Sequence, residues 1–317
     1  MSKNILVLIP VNESHKRLLE EKAPSASFTY AKDNSVNADL IQNANVIIGS
    51  PPVGMLKASK KLELLQLQSA GVGRYAEDKA LPEGAVLANA TGAYGLAISE
   101  YMLGVLLELY KKLHLYRDHQ AESNWSYAGR VKLIYNSTAL IVGLGDIGGE
   151  FARRLKALGA YTIGIRRKDR EKPDYLDELH LTDRLEDLLP RADIVAMSLP
   201  ETSHTIKVIN RKTLGLMKPD AVLINVGRGS AIDTEALCDA LENGHLLGAA
   251  LDVTDPEPLP REHRLWKIRN AVITPHVSGG FSLQETHDRI VRIAADNLEA
   301  LLNGRTLSNV VDLSAGY

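Results

Sequence analysis

Short apolar runs alternate with helical stretches along most of this chain. In the first hundred residues the runs at 4–9, 28–30, 46–48, 64–68 and 86–88 predict strands, with amphipathic segments at 14–21 and 37–42 between them. The alternation resumes at 138–142 and continues through 161–165, 194–197, 221–225, 248–251 and 271–273. Strands separated by helices favour parallel sheets covered on both faces, so the chain reads as α/β with two doubly wound units. Between the units, residues 99–119 are helical in pattern and apolar on nearly every side, from Tyr101, Met102 and Leu103 to Leu109, Tyr110 and Leu113. Such a helix is expected to be buried around its circumference, by its own monomer or by a second subunit. A further long helix at 283–302 is placed to return the chain to the first unit.

Composition narrows the class. A chain of 317 residues suggests two domains, and 45% hydrophobic with 24% charged residues is ordinary for a soluble globular protein. The net charge of -2 implies no basic face for nucleic acid. The single cysteine, Cys238, rules out an internal disulfide framework and reads as a small buried hydrophobe within the predicted helix 233–242. The apolar run 5–9 is too short for a signal-peptide core, and Glu108 interrupts the longest membrane-span candidate. A cytoplasmic location is expected. Neither H-E-x-x-H nor C-x-x-C occurs, so no protein-bound metal is expected.

The first chemical signal is Gly143-Leu144-Gly145-Asp146-Ile147-Gly148, set between a predicted strand and a predicted helix over 150–158. In that context G-x-G-x-x-G means dinucleotide binding: a tight turn, close approach of a pyrophosphate, and close helix–strand packing. The next strand should end in an acid that holds the adenosine ribose. It ends instead in Arg166-Arg167, with Asp169 further on. A missing acid and added guanidinium groups favour a 2′-phosphate, hence NADP(H) over NAD(H).

Three further segments stand at predicted strand ends, where open α/β sheets place ligands. Arg228 lies between two glycines after 221–225. Glu257 lies between prolines in a stiff loop after 248–251. His276 lies in a stiffened loop after 271–273. Taken singly, each has a bland reading: a surface ion pair, a solvated carboxylate, a loop cap. Together they supply what ketone reduction needs beside a hydride source: a cation for the carbonyl, a proton donor, and a carboxylate to support that donor. The other eight histidines are assigned no chemistry.

These motifs, in the order GLGDIG, INVGRGSAID, GAALDVTDPEPLP and ITPHVSGG, closely resemble the D-isomer-specific 2-hydroxyacid dehydrogenases over nearly the whole chain. The resemblance implies a Rossmann coenzyme domain, 99–281, inserted in a flavodoxin-like substrate domain, 1–98 and 282–317. It implies that Arg228, Glu257 and His276 are catalytic, with Arg228 and His276 also touching substrate, and that Asp252 is a cofactor-binding residue that influences the site's electrostatics. It places a substrate carboxylate on the loop Ala70, Gly71, Val72 and Gly73, with Arg74 and Tyr94 as weaker pocket candidates and 92–95 as a hinge. A homodimer built on the coenzyme domains is also implied. The expected reaction is reduction of a small 2-ketoacid such as glyoxylate or hydroxypyruvate, with NADPH preferred and NADH as the other coenzyme. Two alternatives share the fold: a phosphite- or formate-type dehydrogenase, and a corepressor that uses the dinucleotide as a structural ligand. The apparent lack of tails beyond the first strand and last helix weighs against the corepressor.

Overall fold

A computed structural model of the chain describes residues 2–31, 36–57, 59–76, 80–280 and 283–313. It divides into two units, Met1–Tyr94 with Phe281–Tyr317, and Gly95–Gly280.

Among the described residues the first unit carries five strands: β1 (Asn4–Val7), β2 (Ser27–Tyr30), β3 (Val46–Ile48), β4 (Leu64–Gln66) and β5 (Val86–Ala88). They form one sheet in the order β2-β1-β3-β4-β5, with every neighbouring pair parallel. The central strands are apolar at nearly every position because helices cover both faces, and Ile5, Leu6, Ile47, Leu64 and Leu65 are at most 2% exposed. The helix Glu13–Lys22 starts where the Asn12 side chain accepts the His15 N–H at 2.9 Å, and it packs against Gln284–Leu302. That contact is how the end of the chain rejoins its first unit.

The second unit carries seven strands: β6 (Thr138–Val142), β7 (Tyr161–Arg166), β8 (Glu178–Leu181), β9 (Ile194–Met197), β10 (Val222–Asn225), β11 (Gly248–Leu251) and β12 (Ala271–Ile273). The order is β12-β11-β10-β9-β6-β7-β8, again all parallel. The chain winds one way from β6 to β8 and the other way from β9 to β12, so the strand order reverses between β6 and β9. Ligands bind at such a switch point, outside the carboxyl ends of the strands. Strand β8 escaped the sequence reading because it lies at the sheet edge. Glu178 and His180 interrupt its apolar residues, and no position in it is buried.

Two expectations need correction. The helix expected at 99–119 is two helices, Gly95–Lys111 and Leu113–Ala121, broken at Lys112, whose φ is 57°. It starts at Gly95 because the Asp146 carboxylate accepts the Gly95 N–H at 2.7 Å, so the second unit also begins before residue 99. Within the single chain the first of these helices buries one face. Met102, Val105, Leu106, Leu109 and Tyr110 face the core, whereas Leu103 and Leu107 are only partly covered and Leu113 is 53% exposed. Cys238 is fully buried, and that burial pushes its thiol up to about 11. Among the described residues, no helix is long and apolar enough to cross a membrane.

Candidate active site

The glycine turn leaves β6 and runs directly into the helix Asp146–Ala157. Gly143 sits at φ 101°, in the left-handed region that favours glycine. A Cβ on Gly148 would lie 1.9 Å from the Gly143 carbonyl oxygen, so any side chain there would push the helix off the turn. A Cβ on Gly145 would meet nothing within 4 Å. The helix thus opens beneath free space, with no side chain capping its first turn. A helix N-terminus without a side-chain cap, with its dipole, suits a diphosphate. Of the motif residues, Asp146 turns its carboxylate to Gly95, whose N–H it accepts at 2.7 Å.

Arg228, Glu257 and His276 follow β10, β11 and β12, three adjacent strands whose carboxyl ends lie along one side of the sheet. The Arg228 turn is held by Asn225, 1% exposed, which accepts the Gly227 N–H at 3.0 Å and donates to the Arg228 carbonyl at 2.9 Å. A Cβ on Gly229 would fall 2.0 Å from the Thr254 carbonyl carbon. Only glycine lets the arginine turn press on the backbone that leads to Glu257. That loop is tied in turn by Thr234 to the Asp255 carbonyl and by Thr254 to the Pro256 carbonyl. Glu257 Oε1 then meets His276 Nδ1 at 2.8 Å. Both side chains remain accessible, at 43% and 49% exposure. With Nδ1–H given to the carboxylate, Nε2 is the ring position left to exchange a proton.

His276 has a φ of 54°, a left-handed conformation that costs a non-glycine residue about 1–3 kcal/mol and persists only where its surroundings enforce it. Asp252 enforces it. This carboxylate is 1% exposed and accepts from Thr274 Oγ1 at 2.6 Å, Val277 N–H at 2.9 Å, Ser278 N–H at 3.0 Å and the Ser278 hydroxyl. Its backbone carbonyl takes the His276 N–H at 2.8 Å. Thr274 spends its one proton on Asp252, so the Tyr101 hydroxyl, 2.7 Å away, donates to Thr274. Burial pushes the Tyr101 phenol up to about 12. Asn225, Thr274, Ser278 and Tyr101 were not anticipated. Asn225 alone left a trace in the sequence, as an amide at a strand end two residues before a glycine.

In the first unit, the loop after β4 holds Ala70, Gly71, Val72 and Gly73. Asn89 donates to the Ala70 carbonyl at 3.0 Å and Ser69 to the Gly71 carbonyl at 2.6 Å. The N–H groups of these four residues donate to no acceptor among the described residues. Successive free amides of this kind form an anion-binding concavity. Tyr94 was expected to line a pocket, but it is buried and donates to the Gln68 carbonyl, so it braces the loop from behind. Arg74 is exposed, and Gly92 turns the chain at φ 103° just before the boundary between the units. Arg166 ends β7 half-buried, and Arg167 is exposed.

A nucleotide-binding α/β sheet with acid–base loops at its strand ends defines a dinucleotide-dependent oxidoreductase. The family model described as D-isomer-specific 2-hydroxyacid dehydrogenase, NAD-binding domain, matches residues 103–278. Glyoxylate reductase of Thermofilum pendens is 34% identical over 258 residues, which cover 79% of this chain and 75% of the relative. A family member from Aeromonas salmonicida superposes with a TM-score of 0.85 at 31% identity, over 99% of this chain and all of that one. Another, from Xanthobacter autotrophicus Py2 and solved in complex with NADPH and MES, gives a TM-score of 0.84 at 25% identity over the full length of both. The chain belongs to the D-isomer-specific 2-hydroxyacid dehydrogenases, NAD(P)-dependent oxidoreductases.

Proposed function

We propose that this protein reduces a small 2-ketoacid, with glyoxylate and hydroxypyruvate foremost, to the D-2-hydroxyacid, using NADPH in preference to NADH. The observation that carries the reading is the 2.8 Å pair of Glu257 and His276, two half-exposed side chains on loops that follow neighbouring strands. The bound dinucleotide supplies the hydride that the carbonyl carbon accepts. His276 gives its Nε2 proton to the carbonyl oxygen and is left as a neutral ring that still donates Nδ1–H to Glu257. Arg228 stabilises the negative charge that builds on that oxygen. Asp252 is a positioning residue on the coenzyme side, and the free amides at 70–73 are assigned to the substrate carboxylate. In this reading Met1–Tyr94 with Phe281–Tyr317 serves as the substrate domain and Gly95–Gly280 as the coenzyme domain. The coenzyme preference is supported by Arg166 and Arg167 where NAD-specific sites carry an acid, and by the NADPH complex of the Xanthobacter relative.

A homodimer is part of the proposal. Trp125, Tyr127, Leu133 and Tyr135 are 103%, 75%, 64% and 65% exposed, and they follow Leu113 on the same segment of chain. A cluster of large apolar side chains in water marks an association surface. The single buried thiol is in keeping with a reducing, cytoplasmic setting.

Steady-state kcat/KM for glyoxylate, hydroxypyruvate, larger 2-ketoacids, phosphite and formate, each with both coenzymes, tests the reading. Compact 2-ketoacids with NADPH are expected to give the highest values. Turnover confined to phosphite or formate, or tight dinucleotide binding without turnover of any substrate, would overturn it.

A further inference from the structure

The carboxyl ends of β7 and β8 border an open cavity of about 470 Å³ whose lining includes Arg166, Arg170, Lys172 and Arg184 together with Asp169 and Asp183. The excess of cations matters less than how they are engaged. Several exposed arginines elsewhere in this unit are paired, Arg191 with Glu178, Arg211 with Asp239, and Arg264 with Glu235, Asp239 and Glu242, whereas the isolated Arg117, Arg130 and Arg261 are not, among the described residues. In the cavity, Arg166 and Arg170 have neither an ion pair nor a side-chain hydrogen bond among the described residues. Arg184 gives only Nε to Asp187, at 2.7 Å, which leaves both terminal nitrogens of its fork free. Lys172 is occupied by the Leu176 carbonyl at 2.6 Å. Four cations against two carboxylates leave the concavity net positive, and a bound anion offsets that charge.

Strand order says which anion reaches them. The glycine turn leaves β6, Arg166 ends the neighbouring β7, and Arg184 follows β8 one strand further on. A dinucleotide with its diphosphate at the end of β6 therefore has its adenosine ribose toward β7, with the cavity beyond. We infer that this cavity holds the ribose 2′-phosphate, and that Arg170 and Arg184 complete the clamp begun by Arg166 and set the coenzyme specificity. Arg167, the neighbour in sequence, does not line the cavity. The inference rests on the NADPH reading above and adds to it the residues from β8 and the β7–β8 connection that recognise the phosphate.

Calorimetric titration of the full-length protein with 2′-phospho-ADP-ribose and with ADP-ribose separates the two claims without relying on turnover. Arg170→Ala and Arg184→Ala should each weaken the phosphorylated ligand on the order of tenfold and change ADP-ribose by less than about twofold, the worth of a charge-assisted hydrogen bond made to one ligand only. Arg184→Lys, which keeps the charge and loses the fork, should fall between. Thermal melting of each variant establishes that it is folded. Equal affinity of the unaltered protein for both ligands would overturn the NADPH reading and this inference with it. A clear preference for 2′-phospho-ADP-ribose that survives in all three variants would overturn this inference alone. So would a parallel loss of both ligands, or a selective loss of ADP-ribose in Asp169→Asn with the arginine variants unaffected.

Discussion

Two of the molecule's histidine–carboxylate pairs, one in each unit and of nearly equal length, are set in opposite surroundings. His15 Nε2 lies 2.7 Å from Asp288 Oδ1, and His276 Nδ1 lies 2.8 Å from Glu257 Oε1. The His15 side chain is 7% exposed, against 49% for His276. His15 also accepts at Nδ1 from the Asn12 N–H, and its ring meets the edge of His287 at 4.9 Å, so both of its nitrogens are spent inside the fold. His276 spends one nitrogen and shows the other to solvent. An ion pair alone therefore does not mark an acid–base catalyst. A free ring nitrogen at a strand end, on a strained backbone that something else enforces, does. The pair at His15 locks Gln284–Leu302 onto Glu13–Lys22, and the pair at His276 is proposed to move a proton.

If that contrast is right, His276→Ala should lower kcat by about 10²–10⁴, the usual worth of a positioned acid–base group, and leave the melting temperature nearly unchanged. Stopped-flow reduction of glyoxylate with NADPH reads the effect, and near-normal kcat would erase the distinction between the two pairs. Arg228→Ala should cost about 10²–10³ in kcat and raise KM, since charge stabilisation and substrate anchoring fail together. A variant with altered KM alone would reduce Arg228 to a binding role.

The converse substitution sharpens the comparison. His15→Ala should destabilise the protein by about 1–3 kcal/mol in urea denaturation, through a lost buried ring and its hydrogen bonds, with kcat per folded molecule unchanged. A large fall in kcat without loss of stability would mean that His15 has chemistry of its own. The smallest effect concerns pH. Burial, with His15 beside it, holds the His287 imidazole below its ordinary range. The unfolded chain then takes up that proton more readily than the folded one, so stability is full above the unfolded value near 6.5 and is lost as pH falls through it. The melting temperature should drop between pH 7.5 and 5.5, and His287→Gln should shrink that drop by about 1–3 °C. An equal drop in both proteins would assign the pH dependence to other groups.

Much of this was legible before any coordinates. Strand runs at 46–48, 86–88, 194–197, 248–251 and 271–273 coincide with strands of the structure, because strands buried on both faces are apolar without interruption. The glycine turn was legible for a related reason, since a Cβ on Gly148 would strike backbone and Gly143 takes a φ of 101°. Strand β8 was not, because an edge strand alternates with polar residues and is indistinguishable from a loop. Nor was the break at Lys112, where a single left-handed residue divides a helix whose apolar pattern runs on past it.

The sequence by itself determined the fold class, the family, the dinucleotide turn and the three residues offered for chemistry, because each rests on local pattern: burial period, steric need for glycine, and residue type at a strand end. Only the tertiary structure decided how those residues are held. Strand order sets β11 beside β12 and brings Glu257 to His276. A buried Asp252 carboxylate forces His276 into a left-handed backbone. The same strand order gathers Arg166 and Arg184 around one cavity, while the return of the last helix closes His15 on Asp288. Spacing along a chain encodes the backbone of one element, whereas a hydrogen bond between distant residues exists only once packing has chosen which elements are neighbours.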